Sequence, residues 1–143
     1  MEPWARLPDY PMALLYSEQL LDHFRNPRHA GLLEAPALTV TVENPACGDL
    51  LRLSVLVEEG SIAKVGFQVR GCTASIAAGS ALAEWLTGRS AASLSPAAAA
   101  AAVEAALAPL PEASRHVLTL CRDAVAAASA ACGQACQSAA MRK

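Results

Sequence analysis

A chain of 143 residues with a formal net charge of −2 and a pI of about 5.9 has room for one domain with a real core. It carries no basic stripe that would mark a nucleic-acid partner. Hydrophobic residues make up 54% of the chain but aromatics only 4%, and the excess is alanine, which packs helices closely and buries little area per residue. No apolar run approaches the roughly 20 residues of a membrane span. Met1-Glu2-Pro3-Trp4-Ala5-Arg6 lacks the apolar stretch of a secretory signal. A cytoplasmic, reducing location with no membrane partner is therefore expected. Five cysteines are an odd number at spacings unlike a disulfide framework, so metal binding or thiol chemistry is the better reading.

Residues 1–13 hold Pro3, Pro8 and Pro11 and read as a flexible leader. Residues 14–25 read as a helix, with Leu14, Leu20, Leu21 and Phe24 in an apolar stripe, stopped by Asn26-Pro27. Residues 38–43 alternate as a half-buried strand does, and Asn44-Pro45 turns the chain. Leu51, Leu53, Val55 and Val57 form one face of a second strand. Ala63, Val65, Phe67 and Val69 form one face of a third, after a turn at Glu59-Gly60-Ser61 in which Gly60 can take a positive φ. Residues 73–86 read as a helix with Thr73 or Ser75 as N-cap and Gly88 beyond its end. Ser95-Pro96 starts an alanine-rich helix to about residue 108. Pro111-Glu112 opens a last helix that frays near Gly133, with Val117, Leu118, Cys121, Val125 and Ala128 on one face. Domain boundaries follow at 14–131, with a tail at 132–143. No repeat and no second domain is visible.

Cys47, Cys72 and Cys121 lie in separated elements. Thiolates are soft ligands, and three of them spread in this way point to a metal or iron–sulfur site rather than a compact zinc knuckle. Asp49 adds a hard, weakly held fourth ligand, which suits a site that hands its cargo on. Facing residues of an antiparallel hairpin keep a constant sum of residue numbers, and matching the apolar faces sets Val57 opposite Ala63. Nearly the same register sets Cys47 beside Cys72 at the open end, with facing Cα atoms about 4.5–5.5 Å apart. Cys72 then precedes a helix N-terminus, whose positive potential favours thiolate, and Gly71 lets the backbone come close to a bulky ligand.

The stretches Tyr16-Ser17-Glu18-Gln19-Leu20-Leu21-Asp22-His23-Phe24-Arg25-Asn26-Pro27-Arg28-His29-Ala30-Gly31, Asn44-Pro45-Ala46-Cys47-Gly48-Asp49, Gly71-Cys72-Thr73-Ala74-Ser75-Ile76-Ala77-Ala78-Gly79-Ser80 and Leu118-Thr119-Leu120-Cys121 resemble the signature blocks of the IscU, SufU and NifU N-terminal family of iron–sulfur scaffolds. The resemblance spans about residues 14 to 130. It implies an α+β fold, a three-stranded antiparallel sheet packed against about four helices. It also implies a scaffold that takes sulfur from a cysteine desulfurase, assembles a labile [2Fe–2S] cluster or holds iron on Cys47, Asp49, Cys72 and Cys121, and passes the cargo to acceptor proteins. Cys121 and Cys72 are the candidate persulfide acceptors, and the sequence does not choose between them.

The chain departs from the IscU type at two places. Leu120 stands where that type has a histidine, and Leu110-Pro111-Glu112-Ala113-Ser114 stands near its chaperone motif. A dedicated Hsp70 chaperone is thus not expected among the partners; self-association into a homo-oligomer is left open. SufU-type members also lack the histidine and hold Zn2+ with three cysteines and an aspartate, so a zinc-dependent sulfurtransferase is the alternative, and a purely structural zinc protein a third. The SufU type, however, has a longer insertion between the second and third cysteines. His116, five residues before Cys121 and off its helical face, reads as a surface histidine rather than a ligand. His23 reads as a structural hydrogen-bonding residue, His29 as an exposed loop residue, and Cys132 and Cys136 as incidental thiols.

Overall fold

The computed structural model describes residues 16–44 and 48–141, with the backbone course alone for 134–141. Residues 1–13 and Cys47 lie outside the described residues, as does the side chain of Cys136. The first described helix, α1, spans Glu18–Arg25. Ser17 caps it by accepting from the Leu20 N–H at 3.0 Å, and its own hydroxyl donates to the Leu107 carbonyl at 2.8 Å. One small side chain thus satisfies a helix end and ties that end to a helix remote in sequence. Asn26 terminates α1 as expected, its N–H bonding back to the Asp22 carbonyl.

Three strands form an antiparallel sheet in the order β1-β2-β3. They are β1 Leu38–Asn44, β2 Asp49–Glu58 and β3 Ser61–Arg70. Glu59 and Gly60 take φ of 53° and 81°, the two positive φ values of the tight hairpin turn that matches strand twist. The expected register holds along the body of the hairpin, where Val55 faces Val65 and Leu50 faces Arg70. It slips by one at the turn, where an irregularity between Leu56 and Val57 sets Val57 opposite Ile62. The slip reverses two side chains: Ile62 is fully buried and Ala63 is exposed. A bulge inserts one residue and flips the pleat, so the larger apolar group takes the core side.

Residues 29–31 run beside β3. The Gly31 N–H donates to the Phe67 carbonyl at 2.8 Å, and the Phe67 N–H to the His29 carbonyl at 3.2 Å. This approach requires Gly66, because a Cβ there would sit 2.2 Å from the Gly31 carbonyl oxygen.

Helix α2, Thr73–Leu86, follows β3 directly; its N-cap is Cys72, not Thr73 or Ser75. It is the central helix, buried along most of its length, and Gly79 lets it press onto Phe67 and Val69. Helix α3, Pro96–Leu107, is capped by Ser95, which accepts from the Ala98 N–H at 3.2 Å. The last helix, α4, begins at His116 rather than at Pro111. A 3-10 turn over Glu112–Ser114 precedes it, and it continues through Gly133 to Met141. Val117, Leu118, Cys121, Val125 and Ala128 are all buried, so the expected apolar face is the packing face, and α4 lies against β1, β2 and α3. The architecture is the expected α+β one: among the described residues, one sheet and four α-helices.

Candidate metal and cluster site

Antiparallel pairing of β2 and β3 sets the start of β2 beside the end of β3, where Leu50 faces Arg70. Asp49 opens β2 and Cys72 caps α2 immediately after β3. Chain direction alone therefore brings these two to one end of the sheet. Asp49 is buried, at 4% exposure, and Gly71 makes room for it: a Cβ at Gly71 would lie 2.6 Å from Asp49 Oδ1. The glycine expected to admit a ligand admits a carboxylate of the chain itself.

A buried carboxylate needs donors, and Asp49 has two. Ser75, one turn into α2, donates from Oγ to Oδ2 at 2.5 Å. His116, the first residue of α4, places Nε2 2.9 Å from the same oxygen. Cys72 Sγ lies 3.9 Å from Asp49 Oδ2, 3.9 Å from His116 Nε2 and 3.2 Å from Ser75 Oγ. Cys72 is exposed, so the group opens to solvent on the thiol side.

Among the described residues, Asp49, Cys72 and His116 are the His, Cys, Asp or Glu side chains whose ligand atoms gather, in a group of three or more, within 4.8 Å of one another. Of the expected ligands, the structure brings Asp49 and Cys72 together. Cys121 is on α4, 1% exposed, its thiol pushed up to about 12 by burial. Cys132 is also buried, and burial raises its thiol too.

His116 is the residue that the sequence reading sets aside as a surface histidine. Its 22% exposed side chain meets Asp49 and Cys72 across elements, so its position relative to Cys121 is beside the point. A usable signal exists: His116 lies one helical turn before Leu120, on the same face. His23, by contrast, is structural as expected. It is buried, and its Nδ1 is 2.8 Å from Ser80 Oγ, which also accepts from the Arg28 N–H at 2.8 Å.

The donor set suits a metal. With Zn–S near 2.3 Å and Zn–N or Zn–O near 2.0–2.1 Å, tetrahedral geometry spaces N and O about 3.3 Å apart and S about 3.6 Å from either. The observed 2.9, 3.9 and 3.9 Å reach those values with shifts of about 0.4 Å or less.

Several known proteins are similar to this chain. Iron-sulfur cluster assembly scaffold protein IscU 1 of Archaeoglobus fulgidus is 40% identical over 75 residues, which cover 52% of this chain and 49% of that one. The chain thus spans about half the length of this curated relative. A putative iron-sulfur cluster assembly scaffold protein for the SUF system from Fervidobacterium islandicum AW-1 aligns with a TM-score of 0.51 and 27% identity, over 55% of this chain and 57% of that one. A nitrogen-fixing NifU-like protein (N-terminal) from Brucella abortus shares the fold, with a TM-score of 0.60 at 24% identity over 78% and 90% of the two chains. Residues 15–137 match the NifU-like N terminal domain family, and the chain belongs to that family.

Proposed function

We propose that the chain is an iron–sulfur cluster scaffold and carrier. It takes sulfur from a cysteine desulfurase, assembles a labile [2Fe–2S] cluster on Cys47, Asp49, Cys72 and Cys121, and releases it to acceptor proteins in the cytoplasm. The observation that carries this reading is the meeting of a buried carboxylate and an exposed thiol at one open end of the sheet, 3.9 Å apart. A structural zinc site is closed by its ligands, whereas a transfer site keeps one side open; the exposure of Cys72 favours transfer. Asp49 supplies a hard ligand among soft ones and weakens one bond to iron.

Exposure also separates the two candidate sulfur acceptors. Cys72 is accessible, while Cys121 is buried and held as a thiol. In the transfer step the Cys72 thiolate attacks the outer sulfur of the desulfurase persulfide. The S–S bond breaks, the desulfurase thiolate leaves, and a persulfide remains on Cys72 with no net redox change.

The test is anaerobic reconstitution with ferrous iron, cysteine, a desulfurase and dithiothreitol, the thiol reductant that converts persulfide sulfur to sulfide. The expected product is a protein-bound visible chromophore with iron and acid-labile sulfide in equal amounts, transferable to an apo-ferredoxin. Tight zinc with no cluster formed under those conditions overturns the scaffold reading. It would favour the zinc-dependent sulfurtransferase, which Leu120 supports.

A further inference from the structure

The geometry points to His116 as a ligand, through Nε2, of a divalent metal ion held with Asp49 and Cys72. The inference rests on the proposed scaffold function only for what the metal is for; the coordination itself stands on this chain's own residues.

The second ring nitrogen makes the argument. His116 Nδ1 lies 3.1 Å from the Ala113 carbonyl oxygen. A carbonyl only accepts, so Nδ1 donates to it, as Nε2 donates to Asp49. A histidine that binds metal through one nitrogen characteristically donates its other N–H to a carbonyl or carboxylate, which fixes tautomer and ring orientation. The 3-10 turn over Glu112–Ser114 supplies that carbonyl just ahead of α4. Nε2 is thereby aimed at Asp49 Oδ2 and Cys72 Sγ, at 2.9 and 3.9 Å.

The same arrangement explains how the metal-free site stays intact. The buried Asp49 carboxylate is held by His116 and Ser75 on one oxygen, Oδ2. A metal entering beside Cys72 displaces the Nε2 and thiol protons to solvent, replaces the His116–Asp49 contact, and accepts Nε2, the thiolate and the carboxylate as ligands. Ser75 keeps its hydrogen bond to Asp49 throughout. The imidazole comes from one helical turn before Leu120, on the same face of α4, so the helix offers a nitrogen ligand although position 120 is leucine.

The experiment uses metal alone, without sulfide. The full chain is titrated with Co2+ and Zn2+ under reducing conditions, and zinc-loaded samples are examined by X-ray absorption. The expected wild-type result is cobalt absorption of tetrahedral intensity, with a thiolate band and imidazole scattering at zinc. His116→Ala is expected to lose the imidazole signal and weaken Zn2+ binding by about tenfold or more. His116→Gln, which can still donate to Asp49 but is a poor metal ligand, separates the roles. If it keeps wild-type affinity and spectrum, or if imidazole scattering persists in His116→Ala, His116 only positions Asp49 and the inference fails. If all variants bind metal as expected while wild type builds no cluster with sulfide, the scaffold reading fails and the ligand assignment stands.

Discussion

Gly71 shows how much of the site depends on a missing side chain. Its Cα faces the Asp49 carboxylate so closely that a methyl group would fall 2.6 Å from Oδ1, closer than real Cβ contacts allow. Gly71→Ala is expected to push that carboxylate off Ser75 and His116 and to lower Zn2+ affinity by about 10–100-fold, the range for lost supporting contacts at metal sites. Chelator competition measures it, and an unchanged affinity would mean Asp49 is no ligand. His23 gives a pH effect at the same scale. Burial, with Arg28 adding to it, holds its pKa below the ordinary 6.5. As pH falls through that value the unfolded chain takes up a proton that the folded chain still refuses. The stability tied to neutral His23 is therefore present above about pH 6.5 and is lost as pH drops toward the folded pKa. The slope of melting temperature between about pH 7 and 5.5 is expected to be shallower in His23→Gln than in wild type.

Elements were legible in the sequence where period and turn chemistry agreed, and less so where packing overrode them. Helix α2 ends at Leu86 and α3 starts at Pro96 as read, because caps and prolines mark those positions. The β2–β3 turn was legible from Gly60, but not the slip that buries Ile62 in place of Ala63. That slip follows from which side chain fills the core, a property of the partner elements. The start of α4 was misplaced for a similar reason. Pro111-Glu112 is a good helix opening, yet the chain spends it on a 3-10 turn, and His116 became visible as part of the site only once α4 was placed over the sheet. Two glycines test the packing. Gly66→Ala drives a methyl into the Gly31 carbonyl and is expected to destabilise by about 1–3 kcal/mol. Gly133 lies inside α4, where an added methyl would meet only open space, so Gly133→Ala is expected to stabilise by about 0.5–1 kcal/mol. Urea unfolding of the two variants checks both signs; a destabilising Gly133→Ala would mean the last turns of α4 do not form.

At the scale of the whole molecule, three elements begin at one place: β2 at Asp49, α2 just after Cys72, and α4 at His116. Two helix N-termini therefore meet the site, and their positive ends favour an anionic group such as a thiolate. In the metal-free fold the other described thiols, Cys121 and Cys132, are buried and raised by burial, while Cys72 faces solvent. That division predicts an order of reaction. In the metal-free, reduced protein, iodoacetamide is expected to label Cys72 at least about tenfold faster than Cys121 or Cys132, because both exposure and thiolate character control the rate. Stoichiometric Zn2+ should then protect Cys72, and peptide mapping by mass spectrometry reads both effects. Equal labelling of Cys72 and Cys121 would mean that α4 opens readily from the sheet, which would restore Cys121 as a direct sulfur acceptor. Labelling of Cys72 that zinc leaves unchanged would place the metal elsewhere, and the convergence of Asp49, Cys72 and His116 would then be a hydrogen-bonded corner of the fold.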